Sequence, residues 1–319
     1  MGPEPPRFRP RGIFVGLATL DIIQRVAELP GRNAKATALR QDVAGGGPAL
    51  NAAVVFSRLG GAATLVTRLG PGGIATLIRE DLQSQGVGVV DLAGAHHQPS
   101  VSTITIDDAT GDRQIVSTDA RSGDADHAER AARAGGHIRE ALDALGRAGV
   151  VHLDGHHPDL AMAAARWGHE RGIPRVVDAG RWKAVMAELV PLSTDVICSS
   201  DFAVPSSPAG PMPWVLGQGA GLAAVTNGPS PVLWQTRFGE GSVAVEQVHA
   251  VDTLGAGDFF HGAYSFARTI HDHDGRRPGH VAALRFAGHV AALKCASPGT
   301  REWLGALDGE RALDYLRTE

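Results

Sequence analysis

The feature that most constrains the fold is a change of hydrophobic period in the second half of the chain, where short apolar runs and amphipathic stretches begin to alternate. Runs at 150–153, 175–178, 195–198 and 222–226 read as strands, and the segments 159–171 and 182–189 between them carry a helical period. Strands joined through helices lie parallel, so this pattern predicts a doubly wound, mainly parallel sheet with helices on both faces, an α/β fold. The same reading extends backwards. A strand is expected at 13–17, a helix at 49–59, a strand at 63–67 and a helix at 74–84. Helices at about 257–271, 279–296 and 308–317 close the chain.

Two stretches stand outside this alternation. Residues 35–43 and 101–117 show the polar and apolar alternation of strands with one wet face, and Asp108 to Asp112 read as the turn of a hairpin. They predict a small separate β layer, a lid of 35–44 and 99–117, against a main domain of 12–34, 45–98 and 118–319. Residues 1–11, rich in proline and arginine, read as a flexible tail.

Composition excludes several partners. Thirty basic against 34 acidic residues give a net charge of −4, and the basic residues are scattered, so a nucleic-acid surface is not expected. No run approaches the roughly 18 apolar residues of a membrane span. The two cysteines, Cys198 and Cys295, are too few for a disulfide framework and suit a reducing cytoplasm. Histidines cluster at His96-His97, at His152 with His156-His157, and around His271-Asp272-His273-Asp274, without the partners of a structural zinc site.

Two glycine-opened helix starts carry the chemistry. In Val251-Asp252-Thr253-Leu254-Gly255-Ala256-Gly257-Asp258 a turn of small residues runs straight into an apolar-periodic helix. Unpaired N–H groups at such a start, at the positive end of the helix dipole, favour an anion, and glycines let a phosphate come close. An acid at 258 would sit beside that anion; alone, it also reads as a charge stabilising the helix end by about 0.5–2 kcal/mol. The second start, Gly45-Gly46-Gly47-Pro48-Ala49-Leu50-Asn51, carries an amide one turn in, which suits hydroxyl groups. Asp21, just after the first strand, can accept two hydroxyl hydrogen bonds, although Asn51 and Asp21 taken singly also read as a helix-face amide and a loop acid. None of the three lysines lies in a GxxxxGK[ST] loop, and no complete GxGxxG occurs here.

In this order the motifs resemble the ribokinase, or PfkB, family of carbohydrate kinases over residues 12–305. Asp252 to Asp258 matches its DTxGAGD signature and Gly46 to Asn51 its N-terminal glycine signature. The resemblance implies ATP and Mg²⁺ as reactants, Asp258 as catalytic base and the amides of Gly255, Ala256 and Gly257 as an anion hole. It implies Asp21, Gly46, Gly47 and Asn51 as sugar ligands, and a monovalent cation such as K⁺ near Asp252 and Thr253. Thr226, Gly228 and Cys295 are placed by it near the nucleotide, and Lys35, on the lid, near the sugar. The acceptor it implies is a primary hydroxyl of a ketose-like sugar, with a nucleoside or a non-catalytic binding role as alternatives. A homodimer through the lid would cover exposed strand edges.

The chain also departs from the pattern. In place of an Asn-x-x-Glu motif it has Ser200-Asp201-Phe202-Ala203, leaving Asp201 as the candidate for holding magnesium through water, and Gly70 to Gly73 lacks the usual acidic pair. These departures, with Ala292-Leu293-Lys294-Cys295, resemble the ketohexokinase-like and sulfofructose-kinase-like branch.

Overall fold

The computed structural model describes residues 9–118, 127–205, 207, 209–271, 275 and 277–318. The expected tail up to residue 8, and Asp272, His273 and Asp274 of the His/Asp run, lie outside the described residues.

The N-terminal half runs β1 (Arg11–Val15), β2 (Thr19–Val26), β3 (Arg40–Gly46), α1 (Pro48–Arg58), β4 (Ala62–Thr67), α2 (Gly73–Ser84), β5 (Gly88–Asp91), β6 (Ser100–Asp107) and β7 (Arg113–Ser117). Next come α3 (His127–Leu145), β8 (Val150–Leu153), α4 (Pro158–Glu170), β9 (Arg175–Ala179), α5 (Met186–Leu189), β10 (Asp195–Ser199) and α6 (Pro211–Gly217). The chain ends with β11 (Leu222–Asn227), β12 (Ser230–Thr236), β13 (Gly239–Val243), α7 (Ala256–Ala267), α8 (His280–Cys295) and α9 (Gly309–Thr318).

Nine strands form one sheet in the order β13-β12-β11-β10-β9-β8-β1-β4-β5, parallel from β11 to β5 with an antiparallel edge of β12 and β13. Alternate residues of each strand face opposite sides, so the two layers of core separate cleanly. Val150, Val176, Ile197 and Ala224 pack with α1, α7 and α8, while Val151, Val177, Val196 and Ala223 pack with α4, α5 and α6. That two-sided burial is why these strands read as unbroken apolar runs. The sheet grows from β1 through β4 to β5 in one direction and from β8 onwards in the other. The crevice at the carboxyl ends of β1 and β8 is therefore a topological switch point, where ligands bind in open α/β sheets. Among the described residues, no helix is long and apolar enough to cross a membrane.

A second sheet has the order β3-β2-β6-β7. It takes in Thr19–Val26, which the sequence pattern assigned to the main domain, because the turn Gly16-Leu17-Ala18 is itself apolar and hides the break after β1. Its strand β3 starts at Arg40, so Lys35 lies in the exposed connection before it rather than in a strand. Ile23, Ile104 and Ile106 form a small core of this sheet, and Leu254 of the glycine-rich turn packs against them. The two sheets thus meet at the DTLGAGD segment.

Candidate active site

The N-terminus of α1 lies at the switch point. Gly47, its N-cap, has φ +95, and a Cβ there would stand 2.6 Å from the Leu17 carbonyl oxygen, so only glycine lets the helix begin this close to β1. Asp154, one residue past β8, closes the helix start. Its Oδ2 accepts the N–H groups of Leu17 (2.8 Å) and Ala49 (3.2 Å), and its Oδ1 that of His156 (2.8 Å). Burial alone would raise the Asp154 pKa, but His156, Lys183 and the backbone donors outweigh it and hold the group below the usual carboxylate range.

The N-terminus of α7 is built differently. Gly255 has φ +74, and a Cβ on it would lie 3.0 Å from the Phe259 ring and 3.4 Å from the Asn51 amide nitrogen. Among the described residues no acceptor meets the N–H groups of Gly255 and Gly257; Ala256 N–H turns back to Thr253 O at 3.2 Å. Asp258, in the first turn, accepts a hydrogen bond from Asn51 Nδ2 at 2.9 Å. This bond joins the two helix starts. Removal from water raises the Asp258 pKa first and repulsion by Asp178 next, and these outweigh the Asn51 amide and His261, so the group is pushed up to about 7.

The direction of the Asn51 amide follows from a residue with no sequence signal. Arg301, in the segment after α8, donates from Nη1 to Asn51 Oδ1 (3.3 Å) and from Nη2 to Gly45 O (2.7 Å) and Asp81 Oδ2 (2.8 Å). A guanidinium has no acceptor, so the amide oxygen must face Arg301 and the NH₂ must face Asp258. Asp81 also accepts Gly45 N–H at 3.1 Å, which ties β3 to the same cluster.

Asp21 lies within β2, paired with Ala44 and Ser102, rather than in a loop. A Cβ on Gly46 would fall 2.0 Å from its carboxylate, so the glycine makes room for the acid. Thr19 Oγ1 donates to Asp21 at 2.5 Å; burial raises the Asp21 pKa against the opposing pull of Thr19, Ser102 and Arg301. Asp21, Gly46, Gly47, Asn51, Gly255 and Asp258 therefore converge on the crevice between the sheets. Asp154, Asp178, Asp81 and Arg301 join them without having been anticipated, since single acids at strand ends and a lone arginine form no motif.

The other candidates are spread along the carboxyl edge of the main sheet. Thr226, near the end of β11, donates to Cys198 O at 3.4 Å, and Gly228 makes the β11–β12 turn with φ +51. They lie four strands from β1, about 19 Å at the usual strand spacing. Cys295 ends α8, and its carbonyl oxygen accepts the N–H groups of Val251 (2.7 Å) and Asp252 (3.2 Å). Asp201 is exposed in the turn after β10, its N–H bonded to Ser199 Oγ at 3.0 Å. Lys35 is exposed. Thr253 Oγ1 accepts from Arg113 of β7 at 2.5 Å, and Asp252 is buried among cationic side chains.

Among the described residues no cluster of three or more His, Cys, Asp and Glu side chains forms a metal cage. His152, from the sequence clusters, is instead a core residue held by Ser265 Oγ at 3.2 Å, its pKa pushed down to about 4 first by burial.

Comparison with known proteins shows the family and the fold. The sequence profile described as pfkB family carbohydrate kinase matches residues 12–305. An ATP-dependent ribose-1-phosphate kinase from Halopiger xanaduensis is 28% identical over 305 residues, covering 91% of this chain and 94% of that protein. The crystal structure of a candidate ribokinase from Agrobacterium tumefaciens superposes with a TM-score of 0.77 at 27% identity, covering 98% of both chains. Arabidopsis thaliana ribokinase in complex with ribose and ATP shares the fold, with a TM-score of 0.70 at 19% identity over 97% of this chain and 99% of that one. Because the profile spans both sheets and both helix starts, the chain belongs to the pfkB family of carbohydrate kinases.

Proposed function

We propose that this sugar kinase transfers the γ-phosphoryl group of ATP to a primary hydroxyl of a small sugar, with Asp258 as the base. The observation that carries the reading is the Asn51 to Asp258 hydrogen bond of 2.9 Å, which aims one carboxylate oxygen between an unfilled helix start and a hydroxyl-binding one. A pKa raised to about 7 matches the task, since a base near the working pH both exists ionised and draws a proton effectively.

In this mechanism Asp21 accepts hydrogen bonds from sugar hydroxyls, and Gly46 and Gly47 allow the ring to approach the start of α1. The primary hydroxyl gives its proton to Asp258 as its oxygen bonds to the γ-phosphorus, and the β,γ-bridging oxygen leaves with ADP. The amides of Gly255 and Gly257 stabilise the charge on the transferring group at the helix N-terminus, whereas the Ala256 N–H, expected beside them, is held by Thr253 O. Mg²⁺, when bound, would neutralise phosphate charge, with Asp201 as the side chain to hold it through water. Thr226, Gly228 and Cys295 would flank the nucleotide, and the second sheet would act as the lid.

The residues around Ser200 and Lys294-Cys295 favour a ketose acceptor of the ketohexokinase-like kind. A second reading, ribose or ribose 1-phosphate, is favoured by the named activity of the 28% identical relative. Leu39, Val43, Ile115 and Val116 are exposed apolar residues on or beside the second sheet, which supports a homodimer through that layer. Two free cysteines, one buried and one half-buried, suit a cytoplasmic setting.

The test is ADP release with MgATP and a panel of ketoses, aldoses, ribose 1-phosphate, sulfo-sugars and nucleosides, for wild type and Asp258→Asn. Sugar-dependent turnover that disappears in the variant supports the reading and names the acceptor. Sugar binding without turnover on any compound would move the protein to a non-catalytic role.

A further inference from the structure

The turn that precedes the anion hole holds a buried charge cluster that the phosphoryl-transfer mechanism leaves unused. Asp252 is 5% exposed, Lys294 1% and Arg25 6%. Lys294 Nζ, from the last turn of α8, donates to the Asp252 main-chain oxygen at 3.1 Å and stands 3.1 Å from its Oδ2. Arg25 Nη2, from β2, lies 2.8 Å from the same Oδ2, an ion pair set off the hydrogen-bonding direction. Two backbone donors also meet the Asp252 carboxylate: Leu254 N–H to Oδ1 at 3.0 Å and Gly299 N–H to Oδ2 at 3.2 Å.

This donor set does not fit a monovalent metal ion at Asp252. Such an ion needs several oxygen atoms turned towards it. Here the carbonyl and carboxylate oxygens of Asp252 already face two cations attached to the chain, and two positive side chains against one buried carboxylate would repel a third positive charge. The exposed Asp108, 3.6 Å from Arg25 Nη1, is the only further acid paired with the cluster among the described residues.

We propose that Lys294, supported by Arg25, is a built-in cation that positions the Asp252 to Gly257 turn, so that catalysis needs no potassium or other monovalent ion. The links to the anion hole are direct. Lys294 pins the Asp252 carbonyl, the adjacent Cys295 carbonyl takes the Val251 and Asp252 N–H groups, and Asp252 in turn caps Leu254 N–H, one residue before Gly255. Lys294 is thus a positioning residue, acting through the backbone that carries the amides. Burial lowers its pKa, and the Asp252 oxygens oppose that shift.

The inference uses the kinase reading for one readout only. ADP release by wild type is measured in tetramethylammonium buffer and against potassium, sodium and ammonium at matched ionic strength; thermal melting is followed in the same series, whatever the acceptor. Wild type is expected to change by less than about twofold in rate and to melt at one temperature throughout, because an ion that binds only the native state would raise it. Lys294→Ala, which empties the space of the ammonium, is expected to lose most of its rate and some stability in tetramethylammonium and to regain both selectively with potassium or ammonium. Activation of wild type by potassium of more than about fivefold, or a melting temperature that climbs with potassium, would overturn the proposal. So would a folded Lys294→Ala protein indifferent to the cation. Should the variant not fold, the wild-type series alone decides.

Discussion

The two glycine-opened helix starts look alike in sequence and behave as opposites. At α1 the fold supplies its own anion: Asp154 enters from β8, takes the Ala49 N–H and is held below the usual carboxylate range by its donors. At α7 no protein acceptor meets Gly255 or Gly257 N–H among the described residues, and the acid of the first turn is driven up to about 7. The dipole and the orphan N–H groups are common to both ends. The difference lies in whether the sheet brings a carboxylate to them. A helix start filled from within is a structural joint, and one left open beside a raised acid is suited to chemistry.

Each substitution at these two ends tests that contrast. The largest effect is expected for Asp258→Asn, which should lower kcat by about 10²- to 10⁴-fold while far-UV circular dichroism stays unchanged. Asp154→Ala should act on stability instead, leaving three N–H groups without their acceptor and costing about 3 kcal/mol. At this chain length that amounts to a fall in melting temperature of about 4–5 °C. The sign of its pH dependence is set by a depressed native pKa. The contribution of Asp154 is full above its ordinary value of 3.8 and is lost as pH falls towards the native one, so wild type and variant should converge in acid.

The kcat/KM profile of wild type should carry an acid limb near the raised value of about 7 for Asp258, with activity rising as the group loses its proton. Asp178→Asn removes a repelling charge and should move that limb to lower pH, whereas a flat profile would remove Asp258 from the role of base. The smallest effect sharpens the contrast. Because the native Asp258 binds its proton more tightly than the unfolded chain, the native state loses stability as pH rises from about 4 to 7. Asp258→Asn should therefore melt about 2 °C or more above wild type at pH 8, the reverse of Asp154→Ala.

Much of this was legible in the residues alone. The alternation of buried strands and amphipathic helices specified a parallel sheet, because strands covered on both faces must be apolar throughout and crossover helices must show one apolar stripe. Gly46-Gly47 and Gly255 announced themselves because close backbone approach and positive φ demand glycine at these positions, and Asp258 because it follows such a turn directly. Local conformation and local chemistry are written in neighbouring residues, and neighbouring residues are what a sequence displays.

What only the tertiary structure decided depends on residues far apart in the chain. Thr19–Val26 joins the second sheet because its partners, β3 and β6, lie there, a fact absent from its own apolar pattern. Asp154 reaches α1 across 105 positions, Arg301 orients Asn51 across 250, and Lys294 meets Asp252 across 42. Arg25, Asp178 and Asp81 likewise gain their meaning from what faces them. A single buried charge carries no periodicity and no spacing; its role is set by the dielectric around it and by the partners that folding brings within hydrogen-bonding reach.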